Sequence, residues 1–291
     1  EAVKDDRRAG QLAEADQDTR KALLYRNQLG VLYRDMGDLS QSLHCFEQNL
    51  PATREFNDVY NIALATVNLG FLRMLLGDYS SALEKIEEGY QRFQELGEKR
   101  LLTDCITLLG YGWLQIGDYA AAEANCLRAL AQPQISITAQ QINLLTLGDL
   151  HRIQGDWASA QSDYTQLITL SQRVDVIGID LFAKIGLAAL LLEQNKPAAA
   201  LDALEEILPI FAQEHFDAFW SAPRFLLYAY QILAANHDSR ATAILHQAWQ
   251  IVMRDAEKIS NPHLRNSYLT NVQTHRQLAQ LIEMQRTEPY L

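Results

Sequence analysis

The sequence predicts an all-α solenoid, because small residues and Gly-Asp dipeptides recur along it at a nearly constant period. The dipeptides are Gly37-Asp38, Gly77-Asp78, Gly117-Asp118 and Gly155-Asp156. A first series of small residues lies seven positions upstream: Gly30, Gly70, Gly110, Gly148, Ala188 and Ala229. A second series lies five positions after the dipeptide glycine: Ser42, Ala82, Ala122, Ala160, Ala200 and Ala241. Both series advance in steps of 40, 40, 38, 40 and 41 residues, which is typical of stacked repeats.

Each repeat is expected to contain two helices. Apolar residues recur three and four positions apart on both sides of the dipeptide, as in Leu64, Val67 and Phe71, and this is the period of an α-helix. Glycine ends a helix because it tolerates a left-handed backbone, and aspartate caps the next helix by accepting a hydrogen bond from a free amide. The two small residues, for example Gly110 and Ala122, then mark the closest approach of the paired helices.

The repeats are expected to occupy most of the chain. Residues 1–17 are charged and weakly periodic, and we interpret them as the end of a preceding helix or a linker. Six helix pairs then fill residues 18–258. Residues 259–291 are predicted to form capping helices, because Asn261 is a good helix cap and Pro262 suits the first helical position. A polar outer face, which this segment has, is what a terminal repeat requires.

The composition argues against several classes of partner. A net charge of -11 and the lack of a Lys and Arg cluster argue against direct binding of nucleic acid, which requires a positive surface. No apolar run approaches the ~20 residues of a membrane span. The three cysteines are isolated, which fits reduced thiols in a cytoplasmic protein. Since the first residue is Glu1, we expect the chain to be a piece of a larger protein.

The repeat resembles the tetratricopeptide repeat. The residues that carry the resemblance in the second unit are Leu69-Gly70, Gly77-Asp78-Tyr79, Ala82, Ile86 and Gly89. The units here are longer than the family's about 34 residues and are similar to a long-repeat subclass found in large regulatory proteins. The fifth and sixth units depart from the pattern, with Asn195-Lys196 and Asn236-His237 in place of Gly-Asp. The resemblance implies a right-handed α-solenoid with a concave inner groove.

Residues 259–272 carry a second resemblance. They are similar to the tail that ends repeat arrays in bacterial signal-transduction ATPases with numerous domains, including relatives of the maltose-regulon activator. In those proteins the array is a sensor that controls autoinhibition. The resemblance therefore implies a sensor domain in signal transduction or transcription regulation, with a nucleotide-binding switch module in the parent protein. The chain itself contains no phosphate-loop motif, so that module would lie outside it.

The sequence shows no catalytic constellation. The seven histidines lack metal-ligand spacing, and the glycines form no cofactor fingerprint. Acidic neighbours such as Glu87 and Glu88 point in different directions on a helix and are interpreted as solvated surface. We therefore expect a protein that is not an enzyme and needs neither cofactor nor metal.

The candidate site lies in the concave groove. In the family, the residue after each first-helix small residue faces this groove; here the row is Val31, Phe71, Tyr111, Asp149, Ala189 and Tyr230. With neighbours at helical spacing, it predicts this effector-binding or partner-binding site: Asn68, Phe71, Asp104, Tyr111, Asp149 and Arg152. These residues are expected to bury little surface, and the alternative is that they only solvate the inner wall. The tryptophans are expected to pack between helices: Trp113, Trp157, Trp220 and Trp249.

Two functions remain open from the sequence. In the first, an effector peptide, protein or small molecule binds in the groove and shifts an autoinhibitory equilibrium. In the second, the array is a free-standing scaffold or adaptor that holds a partner's peptide. The clamp by which some tetratricopeptide domains hold a chaperone's terminal carboxylate is not expected. It requires paired Lys and Asn, and the equivalent positions carry Asn27, Val67 and Thr107.

Overall fold

The computed structural model describes residues 18–172, 179–211 and 221–287, together with Arg8 and Ala13, and the regular elements in these ranges are helices. In chain order they are α1 (Thr19–Asp35), α2 (Leu39–Glu55), α3 (Val59–Leu75), α4 (Tyr79–Leu96), α5 (Lys99–Ile116), α6 (Tyr119–Leu130), α7 (Ile137–Gln154), α8 (Trp157–Ser171), α9 (Ile179–Glu193), α10 (Pro197–Glu205), α11 (Leu208–Phe211), α12 (Ala222–Ala235), α13 (Ala241–Lys258), α14 (Pro262–Thr270) and α15 (Gln273–Thr287). Consecutive helices pack in pairs, α1 with α2 through α9 with α10, then α12 with α13. The predicted right-handed α-solenoid of tetratricopeptide-like pairs is confirmed.

The Gly-Asp dipeptides act as predicted at the turn inside each pair. Four glycines adopt left-handed φ angles between +74° and +91°: Gly37, Gly77, Gly117 and Gly155. Three of the following aspartates cap the second helix, each side chain accepting from an amide three residues on at 3.0 to 3.2 Å: Asp38, Asp118 and Asp156. Asp78 is the exception. Its carboxylate accepts from Arg73 at 2.7 Å instead.

The fifth and sixth pairs keep the same turn without glycine. Asn195, with a φ of 60°, occupies the glycine position of the fifth pair, and His237, with a φ of 55°, takes the left-handed conformation in the sixth. Asn and His are among the residues that tolerate this region best. The degenerate sequence therefore preserves the backbone geometry of the repeat.

Small residues bring neighbouring helices into close contact, as predicted. A Cβ added to Gly110 would lie 2.8 Å from the Cys126 sulfur on the paired helix. The Tyr164 ring of α8 has two such neighbours. A Cβ on Gly148 of α7 would lie 2.6 Å from the ring, and a Cβ on Gly186 of α9 would lie 2.7 Å from it. The Tyr164 ring thus packs between two glycine-bearing helices, which places its hydroxyl at the inner wall.

The solenoid closes on itself. The Asn271 side-chain amide, after α14, donates to the Gly77 carbonyl at 3.0 Å, and the Ser40 hydroxyl of α2 donates to the Lys258 carbonyl at 2.8 Å. Leu75 of the second pair and Tyr268 of α14 belong to one apolar cluster. The C-terminal helices therefore contact the first two pairs and turn the open groove into a central cavity. We call this contact the seam.

The two C-terminal helices are tied together by His275. Its Nδ1 donates to the Tyr268 carbonyl at 2.8 Å, and the two rings lie 4.2 Å apart. Burial lowers the pKa of His275 to about 4, against the opposing effects of the Tyr268 hydrogen bond and Asp255. Asn261 caps α14 as predicted, its side chain accepting from two amides. No helix in the described ranges is long and apolar enough to cross a membrane.

We predict that Gly77→Ala destabilises the protein more than Gly117→Ala. Both residues have left-handed φ angles, so alanine costs roughly 1–2 kcal/mol at either position. At Gly77, however, the added Cβ would also lie 2.6 Å from the Ser267 carbonyl oxygen across the seam, whereas nothing lies within 4 Å at Gly117. We expect about 1–3 kcal/mol of additional loss from this overpacking, measured by urea unfolding. Equal losses in the two variants would contradict the closed seam.

We predict that His275 makes the protein less stable as the pH falls from 6.5 to 4. The native state keeps the ring neutral down to a pKa of about 4, whereas the unfolded chain takes up the proton near pH 6.5. The unfolded state therefore binds more protons in this window, and the wild type loses about 3 kcal/mol from this residue. His275→Asn retains a donor and has no such titration. Parallel loss of unfolding free energy in both proteins across this window would refute the assignment.

Candidate functional site

The solenoid surrounds a central cavity of about 570 Å³ that is partly open to solvent. Most of its wall comes from the C-terminal halves of α3, α5 and α7, from one face of α12, and from α14 and α15, and single residues of α2, α4, α8 and α9 complete it. Ligand pockets typically measure about 300–1,000 Å³. The cavity is therefore large enough for a short peptide segment or a small molecule.

A buried ion pair lies on one side of the cavity. Arg224 of α12 donates from Nη2 to both carboxylate oxygens of Asp149 on α7, at 2.5 Å each. The Tyr164 hydroxyl donates to the same carboxylate at 2.7 Å. Burial raises the pKa of Tyr164 well above its ordinary value, so the phenol keeps its proton. This cluster joins the fourth and sixth pairs through residues 75 positions apart in sequence.

A second arginine lies against the same part of α12. Arg152 of α7 donates from Nη2 to the Tyr228 hydroxyl at 2.7 Å and from Nη1 to Glu193. Its guanidinium carbon lies 5.1 Å from the centre of the Tyr228 ring, and that of Arg224 lies 5.7 Å from the same centre. One tyrosine thus contacts two arginines, an arrangement that cation–π attraction favours.

Two polar groups of the cavity wall have no hydrogen-bond partner among the residues that the structure describes. They are Nε of Arg152 and the hydroxyl of Ser221. The Arg152 side chain is 10% exposed and Ser221 is 3% exposed. Buried donors without partners are rare and costly in proteins. A bound molecule that brings acceptors into the cavity would satisfy both.

Apolar and aromatic side chains complete the wall, among them Tyr111, Trp157, Leu227 and Tyr268. Burial raises the pKa of Tyr111 to about 12, so its phenol remains a hydrogen-bond donor. The wall therefore combines polar and charged side chains with these apolar ones, so a ligand can be oriented by hydrogen bonds and held by apolar contacts.

The structure brings together three of the six predicted site residues. Tyr111, Asp149 and Arg152 line the cavity. The described wall does not include Asn68, Phe71 or Asp104. They bind neighbours elsewhere on the array: the Asn68 amide donates to Asn27 at 3.2 Å, Phe71 lies under the Arg34 guanidinium at 4.8 Å, and Asp104 accepts from Arg100 at 3.2 Å.

Two expectations about this region were wrong. The groove residues were expected to bury little, yet Asp149 is 5% exposed and ion-paired, because Tyr164 of α8 and Arg224 of α12 contact its carboxylate. Trp157 was expected to pack between helices, yet it is 42% exposed and lines the cavity. Trp113 and Trp249 do pack against apolar clusters. Trp220 lies outside the described residues.

Sequence reasoning missed the contribution of α12. Ser221, Arg224 and Tyr228 all line the cavity, whereas the repeat register pointed to Tyr230. The missed signal is their spacing of three and four residues, which places polar groups on one face of an otherwise apolar helix. His275 was likewise missed, because its cavity contact depends on closure of the solenoid.

Solved structures with a similar architecture include bacterial regulators. A Rap protein complexed with competence and sporulation factor aligns with a TM-score of 0.65 at 10% identity, over 95% of this chain and 80% of that one. The Rap conjugation gene regulator of the plasmid pLS20, in complex with the Phr* peptide, aligns with a TM-score of 0.64 at 13% identity, over 88% and 75%. The apo quorum sensor NprR from B. thuringiensis gives 0.59 at 16% identity, over 95% and 83%.

A tetratricopeptide repeat protein from Parabacteroides merdae also aligns, with a TM-score of 0.51 at 15% identity, over 93% of this chain and 98% of that one. No family model and no curated protein matches the sequence. Likeness at such low identity shows the fold alone. The chain has the fold of the tetratricopeptide-like helical repeat proteins.

Proposed function

We propose that the protein is a non-catalytic, effector-sensing repeat module that binds a short peptide in its central cavity. The observation that carries the proposal is the pair of unpartnered donors, Arg152 Nε and the Ser221 hydroxyl, in the wall of a cavity of about 570 Å³. Among proteins of similar fold, one Rap regulator is described in complex with the Phr* peptide, and NprR is described as a quorum sensor.

The carboxylates of the cavity support binding rather than catalysis. Asp149 is held by Arg224, and Glu193 is held by Arg152. A general base must be free to accept a proton from substrate, and both carboxylates are already in contact with arginines. The expected sensor role therefore needs no reaction at this site.

Binding would control the shape of the ring. The cavity wall includes Leu75 and Tyr79 on the N-terminal side of the seam and Tyr268 and His275 on its C-terminal side. A ligand that contacts both sides has higher affinity for the closed ring than for an open one. It therefore shifts the population toward the closed form.

The wider context also belongs to the proposal. We place six helix pairs in residues 18–258 and the cap in residues 259–291, within a cytoplasmic parent protein that carries a nucleotide-binding switch module and regulates transcription or another signalling output. The basis is the sequence resemblance of residues 259–272 to sensor tails. The alternative function is a free-standing scaffold that binds a partner peptide on its outer helices.

We predict that peptides selected by the full chain from a phage-displayed random heptapeptide library bind inside the cavity. Tyr111→Ala should raise the Kd of the synthetic peptides at least about tenfold, because it removes an aromatic part of the wall. Glu84→Ala and Glu87→Ala, exposed on α4, are the controls and should leave Kd unchanged. Calorimetry measures Kd, and thermal unfolding checks that each variant is folded.

The opposite pattern would overturn the proposal. Peptides that bind Tyr111→Ala normally but lose affinity for Glu84→Ala or Glu87→Ala would place the site on the outer surface. That result would favour the scaffold.

A further inference from the structure

We propose that the effector carries a carboxylate, which binds where Arg152, Tyr228 and Ser221 meet the cavity. This inference rests on the proposed function and adds the chemical class of the ligand. It concerns a single subsite, so peptide binding to the cavity can hold even if this inference fails.

The three donors lie around one segment of α12. Ser221 and Tyr228 are seven residues apart, two helical turns, and therefore lie on the same face of the helix. Arg152 reaches this face from α7 through its hydrogen bond to Tyr228 at 2.7 Å. All three residues line the cavity.

Donors outnumber acceptors at this subsite, whose acceptor is the Glu193 carboxylate that Arg152 already contacts. Nε–H of Arg152 has no acceptor, and the Ser221 hydroxyl has no partner. The Tyr228 oxygen already accepts from Arg152 Nη2, so its own proton is available to a ligand. Three donors call for a group that only accepts, and an ionised carboxylate, with about four lone-pair sites, is such a group. An ammonium or guanidinium group has donors but no acceptor, so it could not accept a hydrogen bond from any of these three donors.

Two arginines and two carboxylates balance in charge here, and Arg152 is the arginine whose counterion is more easily exchanged. Arg224 is matched by Asp149, whose side chain is only 7% exposed. The counterion of Arg152 is Glu193, whose side chain is 39% exposed. An exposed ion pair contributes little net free energy, so exchanging Glu193 for a ligand carboxylate costs less than breaking the buried Arg224–Asp149 pair. A ligand carboxylate brought into the buried subsite forms the stronger, charge-assisted hydrogen bonds.

Three sources can supply the same carboxylate: a peptide's C-terminus, an Asp or Glu side chain within a peptide, or a small dicarboxylic acid. The test uses synthetic heptapeptides from the library selection that depend on Tyr111. Each is compared with its C-terminal amide and with versions in which Asp or Glu is replaced by Asn or Gln. Glutarate, assayed by thermal shift, probes the small-acid source.

The decisive variant is Ser221→Ala. Since the Ser221 hydroxyl has no partner in the free protein, its removal should leave the melting temperature unchanged or slightly higher. If Ser221 had only a structural role, this substitution would leave the Kd of the peptide unchanged as well. We expect Ser221→Ala to weaken binding of the carboxylate-bearing peptide, and Arg152→Gln to weaken it at least about tenfold. Arg240→Gln makes the same chemical change in an exposed ion pair outside the cavity wall and is the control.

The expected result is a double-mutant pattern. Neutralising one carboxyl group of the peptide raises Kd at least about tenfold for the wild type and the Arg240→Gln control, but not for Arg152→Gln. Whichever neutralised group has this effect identifies the source, and a glutarate-induced stabilisation that Arg152→Gln abolishes assigns it to a small acid.

Two outcomes would overturn the inference. In one, neutralising every peptide carboxyl group leaves Kd unchanged while Tyr111→Ala still weakens binding; the cavity site then stands and the carboxylate subsite does not. In the other, neutralisation costs the same affinity in the wild type and in Arg152→Gln, which places the ligand's carboxylate elsewhere.

Discussion

Close contact between helices at small residues is the constraint on which the rest of the structure depends. A side chain at Gly148 or Gly186 would collide with the Tyr164 ring, so the spacing of α7, α8 and α9 is set by the absence of those atoms. The first pair shows a variant of the same contact, because Ser42, which replaces alanine, donates to the facing Gly30 carbonyl at 2.8 Å. Each pair therefore stacks on the next at short range, and small rotations accumulate into a superhelix.

Closure of the superhelix converts a repeated surface into a unique site. In an open solenoid the inner residues of each repeat would face solvent. Here the Asn271 and Ser40 hydrogen bonds join the two ends, and residues such as Asp149 are buried. A buried carboxylate requires partners, which Arg224 and Tyr164 supply. The ion pair thus joins the fourth and sixth pairs inside the array, apart from the hydrogen bonds of the seam.

The sequence was sufficient to predict the fold because the repeat signal is local. A left-handed glycine, a capping aspartate and a pair of small residues each act within one unit, so four clear copies predicted the geometry of all six. Asn195 in the fifth pair and His237 in the sixth take the left-handed conformation that glycine has in the first four pairs. These residues obscured the sequence pattern but kept the conformation of the turn.

The site was only half predictable for the opposite reason. Tyr111, Asp149 and Arg152 follow the inner row, and the period was enough to find them. Asn68 and Phe71 belong to the same helical face but bind Asn27 and Arg34 on the adjacent repeat. Which inner residues reach the cavity depends on how far the superhelix turns, a property of the whole array that no single repeat encodes.

The contribution of α12 depends on the same long-range geometry. Arg224 and Tyr228 face Asp149 and Arg152 across 75 and 76 residues of sequence, and nothing in the local pattern pairs them. Tyr230, which the repeat register favoured, instead lines a separate groove beside α15 with Trp249. The turn of the sixth pair lies one residue later than the predicted register, at His237-Asp238, so Gln231 takes the inner-row position and lines the cavity.

The unpartnered donors link binding to closure energetically. A buried donor without an acceptor costs about 1–3 kcal/mol, and Arg152 Nε and the Ser221 hydroxyl are two such groups. If the proposed open form exposes them to water, that cost is absent there. An acceptor-bearing ligand in the cavity relieves the cost only in the closed form, so its affinity for that form exceeds its affinity for the open form. Differential affinity of this kind is what shifts a two-state equilibrium, and closure therefore follows from the same polar atoms that recognise the ligand.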